Sequence, residues 1–106
     1  FYALEGLAQL MKTVSVVRAN FNPELVLQGI VLTMYDSRNK LSEMVESDVR
    51  GHFGEQVYQT VIPRNVRVSE APSFGKPVLM YDLKCAGAQA YIALAAEILE
   101  QEKQNP

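Results

Sequence analysis

The chain has 106 residues, 48% of them hydrophobic and 21% charged, with ten Lys and Arg against twelve Asp and Glu. Ordinary apolar content, six glycines, five prolines and one cysteine exclude a collagen, a disulfide framework and a fully disordered tail, and the lone thiol fits a reducing, cytosolic setting. A formal charge of −2 excludes a globally basic nucleic-acid protein and leaves room for a local cationic patch; no apolar run approaches the roughly 18 residues a spanning helix needs.

The predicted elements begin at once. Residue 1 is Phe, with no basic n-region, cleavage site or leader before the first helix, so the chain reads as starting in mid-domain. Between Tyr2 and Asn20, Leu4, Leu7, Met11 and Val14, flanked by Leu10 and Val17, recur at three and four, which predicts a helix with one buried stripe and with Lys12 and Arg18 in water. Pro23 blocks further helix. Leu25 to Met34 then runs without polar alternation, as expected of a parallel strand covered on both faces, and ends at the polar turn Tyr35-Asp36-Ser37.

From Asn39 the spacing returns to helix, with Leu41, Met44, Val45, Val49 and Phe53 on one face, Glu43, Glu46, Asp48 and Arg50 on the other, and Gly54 at the C′ position. Val57 to Ile62 is β-branched and aromatic, a second strand ended by Pro63. A strand–helix–strand unit places its strands parallel, so the loops after them, Tyr35 to Asn39 and from Pro63 onward, open on one edge of the sheet, where ligands usually bind. Pro63 to Pro77 reads as a long irregular loop, Val78 to Tyr81 as a short extended segment, and Gly87 to about Gln101 as a last helix with Tyr91, Leu94, Ala95, Ile98 and Leu99 as its apolar face. Residues 101–106 are expected to fray.

No repeat or linker divides the chain, which predicts one partial domain over 1–106. Two strands cannot shield their own apolar faces and also satisfy two open edges. The expected fold is therefore the C-terminal part of a larger α/β domain, a β-α-β unit with flanking helices that is incomplete on its own.

The strings TMYDSRNKL (Thr33 to Leu41), TVIPRNVRVSEAPSFGKPVLMYD (Thr60 to Asp82) and GAQAYIALAAEIL (Gly87 to Leu99), in this order after FYALEGLAQL, closely resemble the C-terminal portion of the ParA/Soj chromosome-partitioning ATPases. The resemblance covers essentially all of the chain, and its most specific piece is the irregular IPRNVRVSEAPSFGKP. It implies a deviant Walker-type ATPase of the MinD/ParA group, with a parallel-sheet P-loop NTPase fold, ATP with Mg as cofactor, an ATP-dependent homodimer, nonspecific DNA binding, a ParB-type centromere-binding partner, and a cytoplasmic, nucleoid-associated location without a membrane. The phosphate loop of that family lies upstream, and no G-x-x-x-x-G-K-[ST] or variant occurs between Phe1 and Pro106. The chain alone is expected to be inactive and to hold no nucleotide tightly, and no residue in it is assigned to catalysis or metal.

By resemblance Pro63 and Asn65 contact the nucleotide where the family's loop folds over the adenine, an Asn being able to donate to and accept from a base edge. Chemistry alone would make them a strand terminator and a turn residue. Met34 can pack on the adenine ring, although an apolar residue closing a strand is ordinarily core. Arg38 and Arg67 match positions where the family presents basic side chains to DNA phosphates, a task suited to the guanidinium fork; as isolated loop charges they would be solvated. Lys40, Arg64, Lys76 and Lys84 extend this patch, while Asp36, Glu70 and Asp82 lie among them and reduce its field. Leu83, Cys85 and Ala86 depart from the family's usual DPKSKGAQAY, which counts against a basic loop there.

His52 and Cys85 have no second His or Cys to complete a metal or nucleophile site and read as structural, and the carboxylates Glu43, Glu46 and Asp48 as a solvated helix face. Two function classes follow: a DNA-segregation ATPase to which this segment contributes the adenine loop and DNA-facing arginines, or a non-enzymatic interaction and dimerisation module of truncated ParA-like shape.

Overall fold

A computed structural model describes residues 2–104. The elements in chain order are α1 (Tyr2–Asn20), β1 (Ile30–Tyr35), α2 (Lys40–Phe53), a 3-10 turn (Gly54–Gln56), β2 (Val57–Pro63), α3 (Val66–Glu70), a second 3-10 turn (Ala71–Phe74), α4 (Val78–Tyr81) and α5 (Ala86–Gln104). Contacts gather these into two compact units. One takes the chain up to Ile30 together with Asn39–Val57; the other takes Val31–Arg38 together with the chain from Tyr58 onward.

In the first unit α1 packs against α2. The predicted stripe of α1 is present but only half-buried at Leu4, Leu7, Met11, Val14 and Val17, with Leu10 exposed. Helix α1 stops where Phe21 and Asn22 donate their N–H groups to the Val17 carbonyl, both at 2.8 Å, and the Arg18 Nε donates to the Leu25 carbonyl at 2.7 Å. Helix α2 ends at the glycine expected from the sequence and starts at a side-chain cap that the structure adds. Asn39 accepts from the Leu41 N–H at 2.9 Å as N-cap, and Gly54, at φ 55°, turns the chain out of the helix while its N–H reaches the Arg50 carbonyl. Val49 is the buried anchor of this helix, contributing about 1.5–3 kcal/mol by leaving water. Leu41 and Met44, predicted on the same face, are exposed.

In the second unit β1 and β2 form a parallel two-stranded sheet, and Tyr58, Ile62, Ala71, Gly87 and Ala88 are buried. The expectation of a strand from Leu25 is corrected: pairing begins only at Ile30. Leu25 is held by the turn after α1, its N–H bonded to the Asn22 carbonyl at 3.2 Å, and residues 25–29 have no neighbouring strand. Nor is β1 covered on both faces, since Thr33 and Met34 are exposed. Each strand is an edge, and the Glu97 carboxylate of α5 closes part of β2 by accepting two successive backbone N–H groups, Gln59 at 2.7 Å and Thr60 at 2.9 Å.

The segment read as an irregular loop is built from short helices. Asn65 caps α3 through its side-chain oxygen, Pro72 opens the 3-10 turn after it, and Gly75, at φ 66°, ends that turn in the left-handed region. Val78 to Tyr81 is helical and not extended. The Pro77 carbonyl accepts from Met80 and Tyr81, each at 3.0 Å, and a four-residue apolar run carries no periodicity by which sequence could tell the two apart. Helix α5 continues to Gln104, past the predicted fraying point at Gln101; residues 105 and 106 lie outside the described residues. Its covered side is also shifted. Gly87 and Ala88 are buried and Ala90, Leu94, Glu97 and Ile98 half-buried, whereas Tyr91, Ala95 and Leu99 are exposed. The apolar core among the described residues is small, and Val26, Met34, Met44, Val66 and Met80 face solvent.

Candidate functional site

The predicted site residues of the second unit gather where β1 and β2 end. The Arg64 N–H donates to the Tyr35 carbonyl at 2.9 Å, so the first residue beyond β2 is pinned to the last residue of β1. Parallel strands bring their carboxyl ends to one edge by construction.

Met34, one residue before β1 ends, has φ 54°, the one positive φ outside glycine among the described residues, and is 70% exposed. The ordinary fate of an apolar strand terminus, burial in the core, is not what this side chain has. A left-handed backbone in an unbranched non-glycine residue costs on the order of 1–3 kcal/mol and concentrates at functional positions. Pro63 closes β2 half-buried. Asn65 is half-buried too, and its Oδ1 accepts from the Arg67 N–H at 3.0 Å. The amide oxygen thus already serves the α3 cap, which leaves the NH2 as the end of the side chain able to donate elsewhere.

Arg38 and Arg67 are both surface guanidiniums, and both are paired. Asp36 accepts from the Arg38 backbone N–H at 3.0 Å and from its Nε at 3.2 Å, with the Arg38 side chain 90% exposed. The side-chain hydrogen bond from Arg38, then the backbone one, hold the Asp36 carboxyl below its usual 3.8. Arg67 stands between two carboxylates, Glu70 at 3.2 Å and Asp82 at 3.5 Å. The Tyr81 hydroxyl donates to the same Glu70 oxygen at 2.8 Å, and the Tyr81 ring stacks on Phe74 with centroids 5.0 Å apart. That hydrogen bond to Glu70, with desolvation second, pushes the Tyr81 hydroxyl above its usual 10.0. The three acids that sequence placed among the cations are the ones found on these two arginines. Lys40, Arg64, Lys76 and Lys84 are all exposed.

One residue of this region was missed by sequence reasoning. A Cβ on Gly87, at the start of α5, would collide with the Val68 Cγ2 and stand 3.4 Å from the Asn65 Cβ. Glycine is what lets α5 approach α3 and Asn65 so closely. The signal available was the small-residue run Ala86-Gly87-Ala88 at a helix start. The remaining candidates behave as structural groups. The His52 Nδ1 lies 2.8 Å from the Asp48 carbonyl, Glu46 pairs with Arg50 at 3.0 Å, and the Cys85 Sγ accepts from the Ala88 N–H at 3.4 Å at the start of α5. No group of three or more His, Cys, Asp or Glu that could hold a metal occurs among the described residues, and no helix among them is long and apolar enough to cross a membrane.

Compared with known protein families, residues 5–78 match the CobQ/CobB/MinD/ParA nucleotide binding domain. The chain belongs to this family. Its mixed α/β structure with a parallel sheet is correspondingly part of the P-loop NTPase fold. Among curated relatives, the chromosome partitioning protein ParA of Caulobacter vibrioides is 68% identical over 103 residues, 97% of this chain and 39% of that protein. The chromosome-partitioning ATPase Soj of Thermus thermophilus is 54% identical over 99 residues, 93% of this chain and 40% of that protein. The sporulation initiation inhibitor protein Soj of Bacillus subtilis is 50% identical over 98 residues, 92% of this chain and 39% of that protein. This MinD/ParA-family chain thus spans about two-fifths of the length of the relatives it matches.

Proposed function

We propose that this chain is the base-binding and DNA-facing portion of a chromosome- or plasmid-partitioning ATPase. The observation that carries the reading is the pinned carboxyl edge of β1 and β2, which gathers Met34, Pro63, Asn65, Arg38 and Arg67 within a few residues of the Arg64–Tyr35 hydrogen bond in a member of a nucleotide-binding family. The residues present suit one side of ATP only. An exposed, polarizable Met34 offers a face for the adenine ring, Pro63 a second apolar surface, and Asn65 an amide donor for the base edge. ATP supplies the phosphoanhydride whose hydrolysis resets the switch; its phosphates and Mg are held by a loop outside residues 1–106, and no residue of this chain is given a catalytic role.

In this reading ATP closes a homodimer, the dimer binds nucleoid DNA without sequence preference, and a ParB-type partner stimulates hydrolysis and release. Arg38 and Arg67 would meet phosphates, contacts that set affinity and position without reading bases. One copy offers few such contacts against nearby acids. Joining two copies makes the second set intramolecular and raises affinity steeply. The test is retention of duplex DNA by the protein expressed from its complete reading frame, as a function of salt, with and without ATP. ATP-dependent, salt-sensitive retention that is lost in Arg38→Ala and Arg67→Ala is the expected result. Absence of DNA and ATP binding in every state would leave the alternative, a non-enzymatic dimerisation module, to which the exposed Met44, Val66 and Met80 would then belong.

A further inference from the structure

Of the two arginines proposed to meet phosphate, Arg67 is the more heavily neutralised. Arg67 meets Glu70 through its NH1 at 3.2 Å and Asp82 through its Nε at 3.5 Å, so both edges of the guanidinium face a carboxylate. Neither acid is loosely placed. Glu70 is fixed by the Tyr81 hydroxyl at 2.8 Å, and Tyr81 is itself held by its stack on Phe74. Asp82 is the C-cap of α4, its backbone N–H bonded to the Val78 carbonyl at 2.9 Å. The Arg67 side chain is 54% exposed, so the clamp is open to solvent on its outer side. Arg38 differs. It carries one acid, Asp36, and its side chain is 90% exposed.

We propose that Glu70 and Asp82 form an autoinhibitory clamp on Arg67, which a phosphate backbone must displace before that arginine can bind it. The inference rests on the DNA-facing reading above and adds to it two residues that set how tightly the switch holds DNA. With Nη1 engaged by Glu70 and Nε by Asp82, an approaching phosphate must break an existing ion pair before it can take up the guanidinium fork. Exposed ion pairs of this kind are individually weak and salt-screened. The clamp therefore yields to a polyanion that brings many phosphates at once and resists a single small anion. It keeps affinity low in the monomer and lets dimerisation decide whether DNA is held. Tyr81, hydrogen-bonded to Glu70 and lying against Arg67 itself, is a positioning residue for both.

The test uses the protein from its complete reading frame, loaded with a non-hydrolysable ATP analogue and titrated with random-sequence duplex DNA at several salt concentrations. Asp82→Asn keeps the shape and removes one charge. An exposed ion pair of this kind is weak, so freeing Arg67 from one carboxylate should tighten binding about two- to threefold per protomer, hence roughly four- to ninefold in a dimer. Glu70→Gln should do the same. In an Arg67→Ala background both gains should vanish, because the clamp then holds nothing. Equal gains with and without Arg67 would mean a general field effect and would overturn the clamp; so would unchanged or weaker binding of both single variants. If Arg67→Ala itself leaves DNA retention intact, the DNA-facing role of Arg67 falls and the clamp falls with it. A loss in Arg67→Ala with no gain in either Asp82→Asn or Glu70→Gln sinks the clamp alone.

Discussion

Gly87→Ala tests the packing on which the site depends. A methyl group at Gly87 would collide with the Val68 Cγ2 and lie 3.4 Å from the Asn65 Cβ. The obstacle is a β-branched methyl fixed to a five-residue helix, so it cannot rotate away, and α3 or α5 must shift. Overpacking of this kind costs about 1–3 kcal/mol. Against it stands the helix preference of Ala over Gly, about 1 kcal/mol in a helix interior and less in a first turn, where Gly87 sits. The net expectation is a loss of roughly 1–2 kcal/mol, or several degrees in melting temperature for a protein of ordinary domain size. Gly51→Ala is the matched control. It lies within α2 with nothing within 4 Å of its Cβ position, and it should gain about 0.5–1 kcal/mol. Thermal unfolding of both variants, scanned side by side in the complete protein, gives the answer. A Gly87→Ala protein as stable as its parent, or moving in the same direction as Gly51→Ala, would refute the close approach of α5 to α3.

Two further predictions read other contacts. Glu97→Gln leaves the Gln59 and Thr60 N–H groups with a weaker, neutral acceptor, and should lower the urea midpoint by an amount equivalent to about 1–2 kcal/mol while speeding amide exchange at those two positions; unchanged protection would show that the carboxylate does not close that edge. The Asp36 carboxyl should titrate by NMR below 3.8, and Arg38→Ala should return it toward that value. Because the folded value is the lowered one, whatever stability the pair adds is complete above 3.8 and is lost only as pH falls through the folded midpoint. Stability near neutral pH should therefore not depend on this group. A midpoint at or above 3.8 in the parent would contradict the ion pair.

Helix α2 was legible because its determinants are local: a period of apolar residues from Asn39 onward and Gly54 to stop it, to which the structure adds the Asn39 cap. Helix α3 shows the opposite case. Five residues are too few to display a period, Asn65 reads equally as a turn residue, and three prolines in the neighbourhood favour a loop. Site residues divide in the same way. The position of Pro63 and Asn65 after a strand followed from the chain alone, whereas the left-handed Met34 and the engagement of the Asn65 oxygen had no sequence signal. The sequence marks Gly87 as the beginning of a helix; that its missing Cβ makes room for Val68 is a fact about two segments meeting.

Legible in the chain were the long helices α1, α2 and α5, the two strands, the Gly54 stop of α2, the strand ends that carry the site, and the family to which the strings from Thr33 to Leu99 point. These are properties of residues near one another in the chain, where hydrogen bonds and periodicity operate over a few positions. Folding in space was needed to bring Asp82 onto Arg67, to reach Glu97 back to β2, and to coil Val78–Tyr81 into a turn of helix with Tyr81 held between Glu70 and Phe74. Each of these joins side chains that are distant in sequence or too few to form a pattern. Their geometry exists only once the backbone has folded, because a charge or a donor acts through distance in space and not through position in the chain.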